Sequence, residues 1–198
     1  MPEQISDRHI LTTAPAKSNI NELQKESPSQ TAGPYVHIGC LPNTQGIQGV
    51  FSECLTRNKP LPEGEKIKIT GFIYEGNGES GKDLMIESWQ ADQSGDLSNG
   101  IWQRTATDLK TGEFVIETIM PGAINECAPH IDLWIVARGL NFGLNTKIYF
   151  EDHDNSSDPF LALIPEDRQS SLIAKNMGDH YKIDINLQGE KETVFFDV

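Results

Sequence analysis

The segment His130-Ile131-Asp132-Leu133-Trp134-Ile135-Val136-Ala137-Arg138 brings an imidazole, a carboxylate, an indole and a guanidinium together at spacings of two. At the two-residue period of a β-strand, His130, Asp132, Trp134, Val136 and Arg138 share one face, and Ile131, Leu133, Ile135 and Ala137 the other. The second set is an ordinary core stripe. The first could move a proton, hold an ion or bind an anion. It could equally be a polar face closed by a His130–Asp132 or an Asp132–Arg138 contact. A second stretch, Thr31-Ala32-Gly33-Pro34-Tyr35, has a different character. Gly33 permits close backbone approach and Pro34 keeps Gly33 out of helical angles, so the segment reads as a rigid elbow ending a loose arm.

Other chemistries lack their residues. The chain has no Gly-rich phosphate loop, no GxSxG elbow and no HExxH. The histidines, His9, His37, His130, His153 and His180, are scattered, with no two at metal-ligand spacing. Cys40, Cys54 and Cys127 are odd in number and widely spaced, against both a disulfide framework and a zinc site. They read as three reduced thiols of a cytoplasmic protein.

The elements that must position these residues follow from periodicity. In EKIKITGFIYEG, Ile67, Ile69, Gly71 and Ile73 fall on one strand face; GNGESG (76–81) is a turn cluster and DLMIESWQA the partner strand of a hairpin. WQRTATDLKTGEFVIETI reads as strand, turn at Lys110-Thr111-Gly112, strand, and HIDLWIVARG, LNTKIYFED, HYKIDINLQG and ETVFFDV complete the series. Short strands with such turns predict an all-β fold, an antiparallel sandwich. The exception is 158–176, where Pro165, acidic residues behind it and the apolar Leu172 and Ile173 predict one or two short helices. Residues 1–35 are expected to form an extended N-terminal arm and 36–198 the sandwich domain, because the first 30 residues hold few large apolar side chains.

The chain has 198 residues and a formal net charge of -13. That charge disfavours nucleic-acid and membrane-surface partners, and an anionic ligand would need a local cation. No apolar window approaches transmembrane length, and the first residues do not read as a secretory leader.

From about residue 27 to the end, SPSQTAGPYVHIG, IESWQAD, QRTATD, TIMPG, APHIDLWIVARGLNFGL, KIYFED and QGEKETVFFDV occur in the order seen in one family. The chain thereby resembles the α subunits of the protocatechuate 3,4-dioxygenases, intradiol ring-cleavage enzymes with a transthyretin-like sandwich fold. The resemblance implies cleavage of a catechol ring between its hydroxyls with O2, turning protocatechuate into 3-carboxy-cis,cis-muconate. It implies a non-haem Fe(III) held by two tyrosines and two histidines of a homologous β subunit, in an α/β hetero-oligomer. Phenolates suit ferric iron, and imidazoles complete a site that still admits substrate. At the family's ligand positions this chain offers Leu97, Ile124, His130 and Asp132, and no tyrosine lies between Tyr74 and Tyr149. The resemblance therefore implies no iron and no catalytic residue here, only pocket walls: Thr31, Gly33, Pro34 and Tyr35, and Arg138 for a substrate carboxylate. His130 is expected to keep a structural hydrogen bond. Two rival readings stand beside this one. The chain could be a self-sufficient dioxygenase with another metal set, or a non-enzymatic transthyretin-like scaffold.

Overall fold

Alternation of apolar and polar side chains produces most of the strands seen in the computed structural model, which describes residues 30–51, 55–57 and 59–197. The expected arm, 1–35, falls mainly outside those residues, as does Cys54. The strands are β1 (Lys66–Tyr74), β2 (Met85–Gln90), β3 (Ile101–Ala106), β4 (Glu113–Ile119) and β5 (His130–Val136). They continue with β6 (Leu144–Phe150), β7 (Ile173–Asn176), β8 (Tyr181–Lys182) and β9 (Ile185–Asn186). Helices are short: α1 (Val36–Cys40) and α2 (Glu166–Gln169), with single 3-10 turns at Pro42–Gln45, Leu161–Leu163 and Ser170–Leu172.

The strands lie in the order β3-β2-β5-β6-β7-β8-β1-β4, with β9 beside β1. One layer, β3-β2-β5-β6, faces the other, β1-β4, and their inner side chains form one core. Ile69 and Ile73 of β1, Phe114 and Ile116 of β4, Ile86 of β2, Ile131, Leu133 and Ile135 of β5, and Ile148 and Phe150 of β6 all lie in it. The predicted stripe of β5 is thus the wall of that core.

Three features depart from the sequence reading. First, the sheet is mixed: β6 pairs with β7, and β1 with β8 and β9, in parallel. Parallel neighbours need a crossover, and the long 151–172 connection, carrying α2 and two 3-10 turns, supplies the one from β6 to β7. Second, β1 and β2 do not form a hairpin. The turn cluster returns only as far as Ser80, opposite Tyr74, after which the chain crosses layers and β2 pairs with β3 and β5. Third, Ile173–Asn176 is a strand where a helix was expected, and the final ETVFFDV segment makes a single bridge, Phe196 to Asn145, in place of a strand. Pro165 lies just before α2, where its missing N–H costs nothing.

Gly71 occupies a core-facing position of β1 for a steric reason. A Cβ there would stand 1.7 Å from the carbonyl oxygen of Ile183, which passes over the strand. Gly71→Ala should destabilise the fold by at least about 2 kcal/mol, through overpacking against backbone that cannot step aside. Urea unfolding would show it as a lowered midpoint at constant m-value.

Candidate functional site

The outer face of β5 presents its side chains in the predicted alternation: Trp134 is exposed, while Ile131, Leu133 and Ile135 are buried. Its two ends are built differently.

At the Arg138 end, β2 runs antiparallel to β5, with Met85 opposite Val136 and Trp89 opposite Asp132. Three residues past Val136 the chain turns at Gly139, which needs its left-handed φ of 88°. Arg138 sits in that turn, its side chain 66% exposed, and its Nε lies 3.0 Å from Oδ2 of Asp83, whose side chain is 14% exposed. Thr31 reaches the same corner, its hydroxyl donating to the carbonyl of Ala137 at 3.2 Å. Ala32 packs against the small cluster of Leu41, Met85 and Val136 beside it. Gly33, Pro34 and Tyr35 then lead outward into α1. The Val36 N–H donates back to Gly33 and the Gly39 N–H to Tyr35. Tyr35 is 74% exposed. The structure thus brings Thr31 beside the turn that carries Arg138, and holds Gly33, Pro34 and Tyr35 as an exposed elbow next in the chain. VHIGC is helical rather than extended, and Arg104 steadies its end. The Arg104 guanidinium stacks over Trp102, pairs with Glu87 and donates to the Cys40 carbonyl.

The His130 end is closed. The Nδ1 of His130 donates to the carbonyl of Ala128 at 2.7 Å, the expected structural hydrogen bond. Its Nε2 lies 3.7 Å from Asp132. Asp132 is tied to Lys147, which also sits over the Phe160 ring. The Asp132–Arg138 contact does not form. The phenol of Tyr149 packs on the His130 ring and donates to Asp158 at 3.2 Å. Asp158 is almost fully buried and also accepts from the backbone N–H groups of Ala128, Phe160 and Leu161. Its carboxylate therefore stitches the 158–161 turn to the start of β5.

Phenolate or thiolate ligands would be the natural complement to His130 in a ferric site, and the corner disfavours both. Burial, then the charge and hydrogen bond of Asp158, push the Tyr149 phenol well above the ordinary phenol range. Burial and Asp158 likewise raise the Cys127 thiol. At the other two positions stand Leu97, exposed, and Ile124, in a tight turn with Cys127. The residues present do not fit a tyrosine–histidine ferric centre. Among the described residues no group of three His, Cys, Asp or Glu side chains could hold a metal.

The sequence reading missed Lys147, Asp158 and Asp83. Lys147 and Asp83 become visible once register is known, since Lys147 is the direct partner of Asp132 in the β5–β6 pair.

No family model matches the chain. It is 42% identical to the protocatechuate 3,4-dioxygenase alpha chain of Pseudomonas putida, over 89% of this chain and 98% of that protein. It is 34% identical to the alpha chain from Burkholderia cepacia, over 88% and 98%. The chain belongs to the protocatechuate 3,4-dioxygenase alpha-chain family. It is accordingly an α subunit of an intradiol dioxygenase. The intradiol ring-cleavage dioxygenase of Tetranychus urticae shares the fold, with a TM-score of 0.55 at 17% identity, over 70% of this chain and 88% of that one. Among the described residues no helix is long and apolar enough to cross a membrane.

The raised Tyr149 fixes the sign of an alkaline effect. The folded chain keeps this proton after the unfolded chain begins to lose it, near pH 10, so stability is intact below that pH and falls above it. Tyr149→Phe should flatten that alkaline decline while lowering neutral-pH stability by about 1–2 kcal/mol, because Asp158 loses one of its donors. Chemical denaturation at pH 7 and pH 11 reads both; an unchanged alkaline slope would remove Tyr149 as its source.

Proposed function

We propose that this alpha-family chain lends the wall of a substrate pocket to a ferric centre carried by a homologous β subunit. In the reading that follows, the assembly cleaves protocatechuate with O2 to 3-carboxy-cis,cis-muconate in the cytoplasm, and the chain contributes Arg138, Thr31, Gly33, Pro34 and Tyr35. The alpha-chain names of the relatives favour a multi-subunit enzyme.

One observation carries this reading: the two ends of β5 cannot serve a single ligand. At about 3.4 Å per residue, His130 and Arg138 are separated by on the order of 20 Å or more along the strand. A one-ring substrate held by Arg138 cannot reach the His130 corner, and that corner is plugged by the Asp132–Lys147 pair. The reacting centre facing Arg138 must then come from another chain. The iron belongs to that partner because the donor set here does not suit it.

Within this chain the chemistry is binding and orientation. The Arg138 guanidinium is planar and stays charged, so it can take a ring carboxylate through two parallel N–H donors. Such a contact would let a chain of net charge -13 accept an aromatic anion. A charge-assisted contact of this kind contributes roughly 1.5–3 kcal/mol, about ten- to a hundredfold in affinity. The exposed elbow at Gly33-Pro34-Tyr35 is the natural edge to meet the partner, and residues 1–35 would act as an arm ordered by that contact.

Arg138→Ala in the co-expressed α/β complex should raise KM for protocatechuate by about tenfold or more, with iron content unchanged. Loss of iron on that substitution would make Arg138 a structural residue and defeat the assignment. Deleting residues 1–35 should impair ring cleavage more than it impairs folding, as compared by turnover and circular dichroism. A deletion that abolishes folding would put the arm in the core.

A further inference from the structure

We propose that Asp83 is a positioning residue that aims Arg138 and thereby sets the assembled enzyme's preference for catechols bearing a carboxylate. The inference rests on the role given to Arg138 above and adds the residue on which that role depends.

Register supplies the first argument. Met85 faces Val136 in the β2–β5 pair, so continuing the same register by two residues sets Asp83 opposite Arg138. The two charges form a cross-strand pair on the outer face, just where the ladder ends and the chain is about to turn.

The second argument is an asymmetry. Asp83 is 14% exposed and Arg138 66%, so one partner is fixed and the other projects. Asp83 is followed by Leu84, which is buried, and the Leu84 backbone is clasped on both sides by Thr107. The Leu84 N–H donates to the Thr107 hydroxyl, and the Thr107 N–H donates to the Leu84 carbonyl. The carboxylate is therefore anchored to the sheet. Arg138, by contrast, has a turn backbone steadied through Ala137, whose carbonyl accepts from both Thr31 and Leu140. That steadies the Cα but not the long side chain. Asp83 is the one ion-pair partner of Arg138 among the described residues.

The third argument is which nitrogen is used. The Asp83 carboxylate sits on the Nε side of the guanidinium as an ion pair, and the outer edge formed by the two Nη groups is not hydrogen-bonded to any described residue. A guanidinium tethered from its Nε side keeps that edge turned outward and open, the edge a carboxylate meets through both oxygens.

Two effects of removing Asp83 oppose each other. Losing its negative charge would favour an anionic substrate, but at 6 Å or more in a wet site this is worth about two- to threefold. Freeing the arginine side chain costs about two- to tenfold, since its rotamers must then be ordered on binding. Aim outweighs charge.

The test uses the co-expressed complex with its iron-bearing partner. Asp83→Ala should raise KM for protocatechuate about two- to fivefold while leaving kcat and iron content unchanged. KM for the matching catechol amide, which carries no charge, should stay as it is. Asp83→Glu should restore part of the loss. Asp83→Ser, which also removes the carboxylate, should show the same rise and is the variant to read if Asp83→Ala assembles poorly. If Arg138→Ala raises KM and neither Asp83→Ala nor Asp83→Ser does, the aiming role is wrong and the Arg138 reading survives. If Arg138→Ala leaves KM unchanged, the reading beneath it falls. Equal rises for the acid and the amide would make Asp83 a general structural residue and overturn the proposal.

Discussion

Strand β5 is constrained on three sides, and the site follows from that. It is hydrogen-bonded to β2 on one edge and β6 on the other, and its Ile131, Leu133 and Ile135 are sunk in the core. A one-residue slip would expose all three, so the register is strongly specified. The outer residues then have no freedom of placement. His130, Asp132 and Trp134 are carried on a rigid rail, each facing whatever the neighbouring strand puts opposite it, and Arg138 sits in the turn that follows. Lys147 faces Asp132, and Asp83 falls opposite Arg138.

How much of this was legible beforehand depended on whether the deciding contact was local. The alternation of β1 and β5 is written in consecutive residues, and their burial follows the pattern. The same reading took 65–91 for a hairpin, because a good turn at GNGESG says nothing about which layer the next strand joins. Ile173–Asn176 looked helical beside Pro165 and Glu166. It became a strand through a parallel pairing with Tyr149 and Phe150, residues more than twenty positions away. The site shows the same division. Thr31 and Arg138 became candidates through the family resemblance, and the hydroxyl of Thr31 bonds to the residue before Arg138. Asp83, Lys147 and Asp158 are acidic or basic residues in unremarkable strings, and only sheet register and chain crossing give them partners.

The corner at His130 is filled by side chains that already have partners. Asp132, its side chain 44% exposed, lies beside the buried imidazole of His130. Lys147, itself only 11% exposed and lying over Phe160, pairs with Asp132. Tyr149 is held as a neutral phenol by Asp158. Every group there has a partner already, so the corner is a structural knot with little capacity for a ligand.

In the proposed function selectivity falls to Arg138, and its environment limits how it could work. Screening at physiological ionic strength confines each exposed charge to roughly 8 Å, so most of the chain's negative charge is not felt at the corner. What is felt nearby is Asp83, which offsets the guanidinium and leaves the pair close to neutral overall. A neutral pair attracts an anion weakly from a distance and strongly at contact, and only when the two free N–H groups meet the two carboxylate oxygens in one plane. Discrimination at this corner is therefore a matter of direction more than of field. That is why a strand with no freedom of register is a suitable place to mount it.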